Sequence, residues 1–177
     1  MTYLETDRLI LLPCVLEPFE EYVAMCADPD VMRYLLSDGQ ALTRGAAWQG
    51  FSAQVEHWHR RGFGPFSVLE RTTGAFVGRV GPWQPEGWPE CEMGWALRLP
   101  YWGRGYATEA ARACVAYAFT DLNRRQIISL IAPENARSIR VAERLGERFE
   151  RTLCYPKGIR TLQFALSKEA WARTQSR

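Results

Sequence analysis

Lysine is almost missing from this chain: of its 22 basic residues only Lys157 and Lys168 are lysines, and the arginine bias, read as coding preference, marks no site by itself. Histidine is equally scarce. His57 and His59 stand two apart near the end of a helical stretch, a spacing that points them to different faces, argues against a metal pair and places both at the surface. The five cysteines, Cys14, Cys26, Cys91, Cys114 and Cys154, are scattered singly without a C-x-x-C pair, so neither a disulfide framework nor a structural zinc site is supported and no metal is expected. Charge is close to balanced at +2, which argues against a nucleic-acid partner. No stretch approaches the roughly 20 apolar residues of a membrane span. The opening Met1-Thr2-Tyr3-Leu4-Glu5-Thr6-Asp7-Arg8 carries acid and base where a signal peptide needs an apolar run. A cytoplasmic protein with no membrane partner is expected.

What is present is material for a core: 47% hydrophobic residues over 177 positions, enough for a single domain across residues 1–177. Residues 8–14 form an apolar run closed by a proline and read as a strand. A helix is expected over 17–27, ended by Asp28-Pro29-Asp30. A second helix runs over 43–61, with Trp48, Phe51, Val55 and Trp58 on one stripe and Gly62 beyond its end. The period then changes to two. Residues 65–71 and 75–83 flank a Thr72-Thr73-Gly74 turn and form a hairpin, and residues 90–97 supply a third run. Helix 108–119 carries a small-residue face of Ala107, Ala111, Cys114, Val115 and Ala118, and 127–132 reads as a strand covered on both sides. A last helix opens at Asn135 and stops at Gly146, and 161–166 returns as a strand. Hairpin strands followed by a strand-helix-strand-helix unit imply an α+β fold with one mixed sheet and helices on its faces.

The chemistry concentrates at residues 102–107, Trp-Gly-Arg-Gly-Tyr-Ala, between a strand and a helix start. Two glycines let backbone N–H groups converge, and the helix end adds unpaired donors and a positive dipole. A phosphate fits there. A Walker A loop needs G-x-x-x-x-G-K-[ST], and neither lysine is near. A dinucleotide fingerprint would place its third small residue at Thr108 and an acid at the end of the next strand, where 127–132 has none.

A third design fits more of the chain. Glu92-Met93-Gly94-Trp95-Ala96-Leu97, then 102–110, then Asn135-Ala136-Arg137-Ser138 and Leu145-Gly146 resemble the GNAT acyltransferase superfamily, specifically its RimJ/RimL-like ribosomal-protein N-acetyltransferase branch. The opening Glu5-Thr6-Asp7-Arg8-Leu9 resembles that branch too. The resemblance implies a mostly antiparallel mixed sheet splayed at its middle, with helices on both faces, and acetyl-CoA as co-substrate. It implies a pyrophosphate cradle at Gly103, Arg104, Gly105, Tyr106, Ala107 and Thr108, with Trp102 in the place the family gives to Gln or Arg. It implies free backbone groups at Leu97, Arg98 and Leu99 for pantetheine, a gap opening between Ala96 and Ile131, and Asn135 and Ser138 beside the thiol end. Arg137 and Arg140 are candidates for the cofactor's 3′-phosphate.

Acetyl transfer needs a neutral amine. At pH 7, deprotonating a lysine costs about 4.6 kcal/mol and an α-amine only about 1 kcal/mol. Alternation along 90–97 puts Glu90, Glu92, Gly94 and Ala96 on one face, so Glu92 stands beside small residues; the resemblance, in which this strand's glutamate often serves as base through a water, makes it the candidate base, with Glu90 the fallback. A strand N–H near Leu97 could stabilise the oxyanion. Many relatives carry a tyrosine seven positions after the motif asparagine; here that position is Ala142, leaving Ser138, and then Tyr155, as candidate acids. Ser138 reads equally well as a helix-cap contact. Trp83 and Trp88 could line an acceptor pocket. The resemblance favours a protein or peptide N-terminal amine as acceptor, with a small amine such as an antibiotic or polyamine, or a non-catalytic acyl-CoA-binding regulatory module, as alternatives. A monomer or homodimer is expected. Acceptor choice is assigned to segments 36–43, 83–89 and 151–160, which carry no readable code.

Overall fold

The computed structural model describes residues 3–14, 19–35, 39–88, 90–154, 158 and 160–175. Eight strands form one sheet in the order β1-β2-β3-β4-β5-β6-β8-β7. They are β1 (Leu4–Glu5), β2 (Leu9–Pro13), β3 (Phe66–Glu70), β4 (Phe76–Trp83), β5 (Glu92–Leu97), β6 (Gln126–Ile131), β7 (Arg148–Cys154) and β8 (Arg160–Ser167). Every pairing is antiparallel except β5 with β6, which run parallel and share a single register pair, Glu92↔Ile128. Beyond that pair the two strands part. The expected splayed α+β sheet is therefore present, opening toward Ala96 and Ile131.

The helices are α1 (Phe19–Cys26), α2 (Pro29–Met32), α3 (Arg44–Arg61), α4 (Tyr106–Thr120), α5 (Ala136–Leu145) and α6 (Lys168–Gln175). The small face of α4, with Ala110, Ala111, Cys114 and Ala118 all at 0% exposure, lets its backbone lie close on β4 and β5, where Val80, Met93 and Leu97 meet it. On the opposite face α1 and α3 bring Tyr22, Met25, Ala47 and Phe51 onto Phe76 and Ala96. Ala142 of α5 closes on Ile131 and Phe164. No described helix is long and apolar enough to cross a membrane.

Three sequence expectations change. Asp28-Pro29, read as a helix stop, is also a start: the Asp28 side chain accepts from the Asp30 N–H and Pro29 occupies the first turn of α2. Trp48 is 55% exposed, and the buried stripe of α3 is instead Ala47, Phe51, Gln54, His57 and Trp58. His57 is buried, because the chain turns back after Gly62 and sets the Phe63 carbonyl 2.7 Å from His57 Nδ1. Its ring stacks on Trp83 at 4.5 Å, Nε2 accepts the Gln84 N–H at 3.2 Å, and burial pushes its pKa down, so it holds the end of β4 as a neutral imidazole.

Candidate active site

Between β5 and α4 the chain makes a 3-10 turn at Leu99–Tyr101 and then reaches the glycine pair. Gly103 has φ +76° and Gly105 φ +80°, left-handed values that strain any L side chain. Room is not the reason for glycine at 103, since a Cβ there would meet nothing within 4 Å. Gly105 caps α4 without a side-chain hydrogen bond, so the first-turn N–H groups of Tyr106, Ala107 and Thr108 remain unpaired by the helix. They open on a groove of about 860 Å³ whose walls include Leu97, Gly103, Ala107, Asn135 and Ser138. Arg137, Arg140 and Arg144 line its far side, with the Arg137 guanidinium 4.7 Å above the Trp102 ring. Such a helix end, flanked by arginines, can hold phosphates.

The turn is propped from behind by the residues of the opening motif. Arg8 donates from Nε to Glu109 Oε2 at 2.7 Å and from its backbone N to Oε1 at 3.0 Å, while the Thr6 hydroxyl donates to Oε1 at 2.6 Å. Arg8 Nη1 also donates to the Arg104 carbonyl at 3.1 Å, and its guanidinium lies 4.5 Å above the Tyr106 ring. Tyr106 in turn donates its hydroxyl to Glu70 at 2.7 Å. Burial raises the Glu109 carboxyl, but the Thr6 and Arg8 donors together outweigh it and hold the group below the usual carboxylate range. Sequence reasoning found the motif but not its job; an arginine at the start of a strand gives no sign of reaching a helix start a hundred positions on.

At the splay, the three backbone positions expected to face pantetheine behave differently. The Arg98 N–H is spent on the Val77 carbonyl at 2.9 Å and its side chain reaches the Phe76 carbonyl, so Arg98 is turned toward β4. Alternation then turns the Leu97 N–H toward the splay. The Leu97 carbonyl accepts from Trp102 Nε1 at 2.7 Å, and the Leu99 carbonyl accepts the Trp102 N–H at 3.1 Å. Across the groove Asn135 caps α5, accepting from the Ser138 N–H at 3.2 Å. Ser138 Oγ accepts from Trp95 Nε1 at 3.1 Å, which leaves the serine's own proton free to turn into the groove. The cap is thus Asn135, not Ser138.

Glu92 lies on the other face of the sheet, at the one β5–β6 pair. The residue keeps some accessible surface while its carboxyl is enclosed, accepting from Trp88 Nε1 at 2.6 Å and from the Leu130 backbone. Burial pushes its pKa up to about 7, against the pull of the Trp88 donor and of Arg79. Beside it, a Cβ built on Gly94 would meet nothing within 4 Å, which is the expected hollow. Glu90 is exposed. Tyr155 lies outside the described residues, as do parts of the three acceptor segments.

A second carboxyl escaped the sequence reading. Glu147, just past the cap of α5, is 3% exposed. Ser129 Oγ lies 2.9 Å from the Met93 carbonyl and 3.1 Å from Glu147 Oε1. A hydroxyl has one proton; given to the carbonyl, it leaves Glu147 to supply its own. Burial, with the Glu92 charge adding to it, pushes the Glu147 pKa up to about 8, consistent with a neutral acid bridging the strands beside the splay.

Comparison with known proteins identifies the family. The acetyltransferase (GNAT) domain family matches residues 8–148. An acetyltransferase crystal structure from Agrobacterium tumefaciens strain C58 superposes with a TM-score of 0.83 at 31% identity, covering 94% of each chain. The uncharacterised protein YkkB of Bacillus subtilis strain 168 is 34% identical over 160 residues, 86% of this chain and 88% of its own. The aminoglycoside acetyltransferase AAC(6')-Ib, solved with coenzyme A, shares the fold at a TM-score of 0.75 and 18% identity, covering 94% of this chain and 98% of its own. The chain belongs to the GNAT acetyltransferase family and is an acyltransferase enzyme.

Proposed function

We propose that this enzyme moves the acetyl group of acetyl-CoA to a primary amine, and that the amine is the α-amine of a peptide or protein N-terminus, as in the RimJ/RimL-like branch its motifs resemble. One observation carries the reading: an enclosed carboxyl, Glu92, with a pKa raised to about 7, stands beside open space at the point where the sheet parts. A base near pH 7 is matched to an α-amine of pKa about 7.8 and poorly matched to a lysine near 10.4. The residues present suit the co-substrate. Two left-handed glycines and an uncapped helix start fit its pyrophosphate, and the arginines of α5 fit its further phosphate. The splay leaves the Leu97 N–H for the thioester side.

In this account the amine nitrogen bonds to the thioester carbonyl carbon as the carbon–sulfur bond breaks. Glu92 takes the amine's proton, directly or through one water, and the Leu97 N–H donates to the developing oxyanion. Ser138, its oxygen engaged by Trp95, donates toward the departing thiolate. The products are the N-acetyl amide and the CoA thiolate, which becomes the thiol by taking from solvent the proton that Glu92 gives up.

The test is release of CoA thiol from acetyl-CoA with N-terminal peptides, lysine peptides and small amines. Turnover concentrated on N-terminal peptides supports the reading. Faster turnover of lysine peptides, or of small amines other than α-amino acids, overturns the choice of an α-amine acceptor. Tight CoA binding with no transfer across the panel overturns amine acetylation and favours a non-catalytic acyl-CoA-binding module.

A further inference from the structure

The face of the sheet that carries Glu92 also carries an arginine without a carboxylate. In the β4–β5 register Trp83 stands opposite Glu92, Gly81 opposite Gly94, and Arg79 opposite Ala96. Alternation puts Arg79, Gly81 and Trp83 on the same side as Glu92, Gly94 and Ala96, the side covered by α1 and α3. The glycine pair therefore makes a floor between a carboxylate at one end and a guanidinium at the other, closed in at Gly81 by the backbone of Gly64 and Pro65. Space above that floor is open at Gly94.

Arg79 is held but not neutralised. Nη1 donates to Gln54 Oε1 at 3.2 Å, and Gln54 Nε2 is itself fixed by Tyr22 Oη and the Gly50 carbonyl, both at 3.0 Å. Arg79 Nε is buried with no hydrogen-bond partner, and among the described residues no carboxylate lies within 4 Å of the guanidinium. A half-buried guanidinium with an idle N–H is costly unless an anion arrives to use it. Its planar donors suit a carboxylate bound through two oxygens.

We propose that Arg79 anchors a carboxylate of the acceptor, so that the substrate is an amine bearing an acid group a few bonds away, its nitrogen at Glu92 and its carboxylate at Arg79. This deepens the acetyltransferase reading and rests on it. Two sources share the chemistry: a free α-amino acid, and a peptide whose first residue has an acidic side chain.

The experiment compares kcat/KM of the wild-type enzyme for free amino acids, their carboxamides, and aspartyl against asparaginyl peptide amides, using acetyl-CoA. The acid member of at least one pair is expected to win by about 10- to 100-fold, the range for one charge-assisted hydrogen-bonding anchor. In Arg79→Gln that ratio falls to about one, chiefly through KM, and Arg79→Lys recovers part of it. The amino-acid pair and the aspartyl pair identify which source is used. A wild-type ratio of one or below in both pairs overturns the proposal without any variant. A drop in kcat of equal size for acids and amides in Arg79→Gln, with a displaced pH profile, also overturns it, since Arg79 would then act only on the Glu92 charge. If no amine is acetylated the function reading fails by itself, and the anchor is read by calorimetry: N-acetyl amino acids titrated into CoA-saturated protein must bind about 10-fold tighter than their carboxamides, or the anchor falls too.

Discussion

At the scale of single residues, two side chains on opposite faces of one gap carry the proposed chemistry. Glu92→Gln keeps the shape and the Trp88 contact but loses the base, and kcat is expected to fall about 10²- to 10³-fold with KM for acetyl-CoA little changed. Ser138→Ala is expected to cost less, about 10-fold in kcat, because a thiolate leaves with only a donor's help. Steady-state kinetics on the preferred acceptor checks both; a Glu92→Gln enzyme with wild-type kcat removes the base assignment. The position of Glu92 beside Gly94 and Ala96 was legible from strand alternation, and its proposed role as base from the resemblance. Arg79 and Glu147 were not. Nothing in residues 75–83 marks one arginine of twenty as lacking a carboxylate, and Glu147 follows a helix-stop glycine where a charged residue normally meets water.

At the scale of elements, the turn into α4 is a composite. The glycines, the helix start and Glu109 are one stretch, 103–109, and Arg8 reaches it from the opening of the chain. Gly105→Asp puts a Cβ on a left-handed residue and a negative charge at the phosphate position, so calorimetric titration is expected to show CoA affinity reduced at least about 100-fold. Equal affinity in variant and wild type would refute the cradle. Arg8→Ala leaves the glycines in place but removes the donor to the Arg104 carbonyl and the cation above the Tyr106 ring, and a milder loss of about 5- to 20-fold is expected by the same titration. The brace also has a pH sign. Because Glu109 is held below the ordinary carboxylate range, its support is present above about pH 4.5 and disappears as pH falls through the lowered value. Most elements were readable from period and punctuation. Strand β7 was not, because Arg148–Cys154 is an exposed edge with no apolar alternation to betray it. Helix α6 was missed for the same reason: it buries no residue completely.

At the scale of the whole molecule, the sheet trades stability for an opening. One parallel register pair stands where a full ladder would join β5 to β6, and two carboxyls near it, Glu92 and Glu147, ionise reluctantly. The unfolded chain ionises Glu147 near its ordinary value of 4.5, while the folded protein holds the proton to about 8. Between those values the unfolded state binds fewer protons, so this group lowers stability as pH rises. Glu147→Gln keeps a donor for Ser129 and removes the titration. Its stability relative to wild type should grow from near zero at pH 4.5 to on the order of 1–3 kcal/mol at pH 8, read from urea unfolding at the two values. A difference that stays constant with pH would mean that Glu147 is not the neutral acid inferred from its geometry. The architecture itself followed from the sequence because hairpin strands and a late strand-helix unit admit few arrangements.

The central claim is that Glu92 receives the amine's proton, and the pH dependence of kcat/KM for wild type and Glu92→Gln tests it most directly. With an α-amine acceptor, wild type should lose activity on acidification with two ionisations, one near 7 from Glu92 and one near the amine's own pKa of about 7.8. Glu92→Gln should retain only the amine's ionisation, on a curve lower at and above pH 7. The same two ionisations in the variant as in wild type would contradict the account.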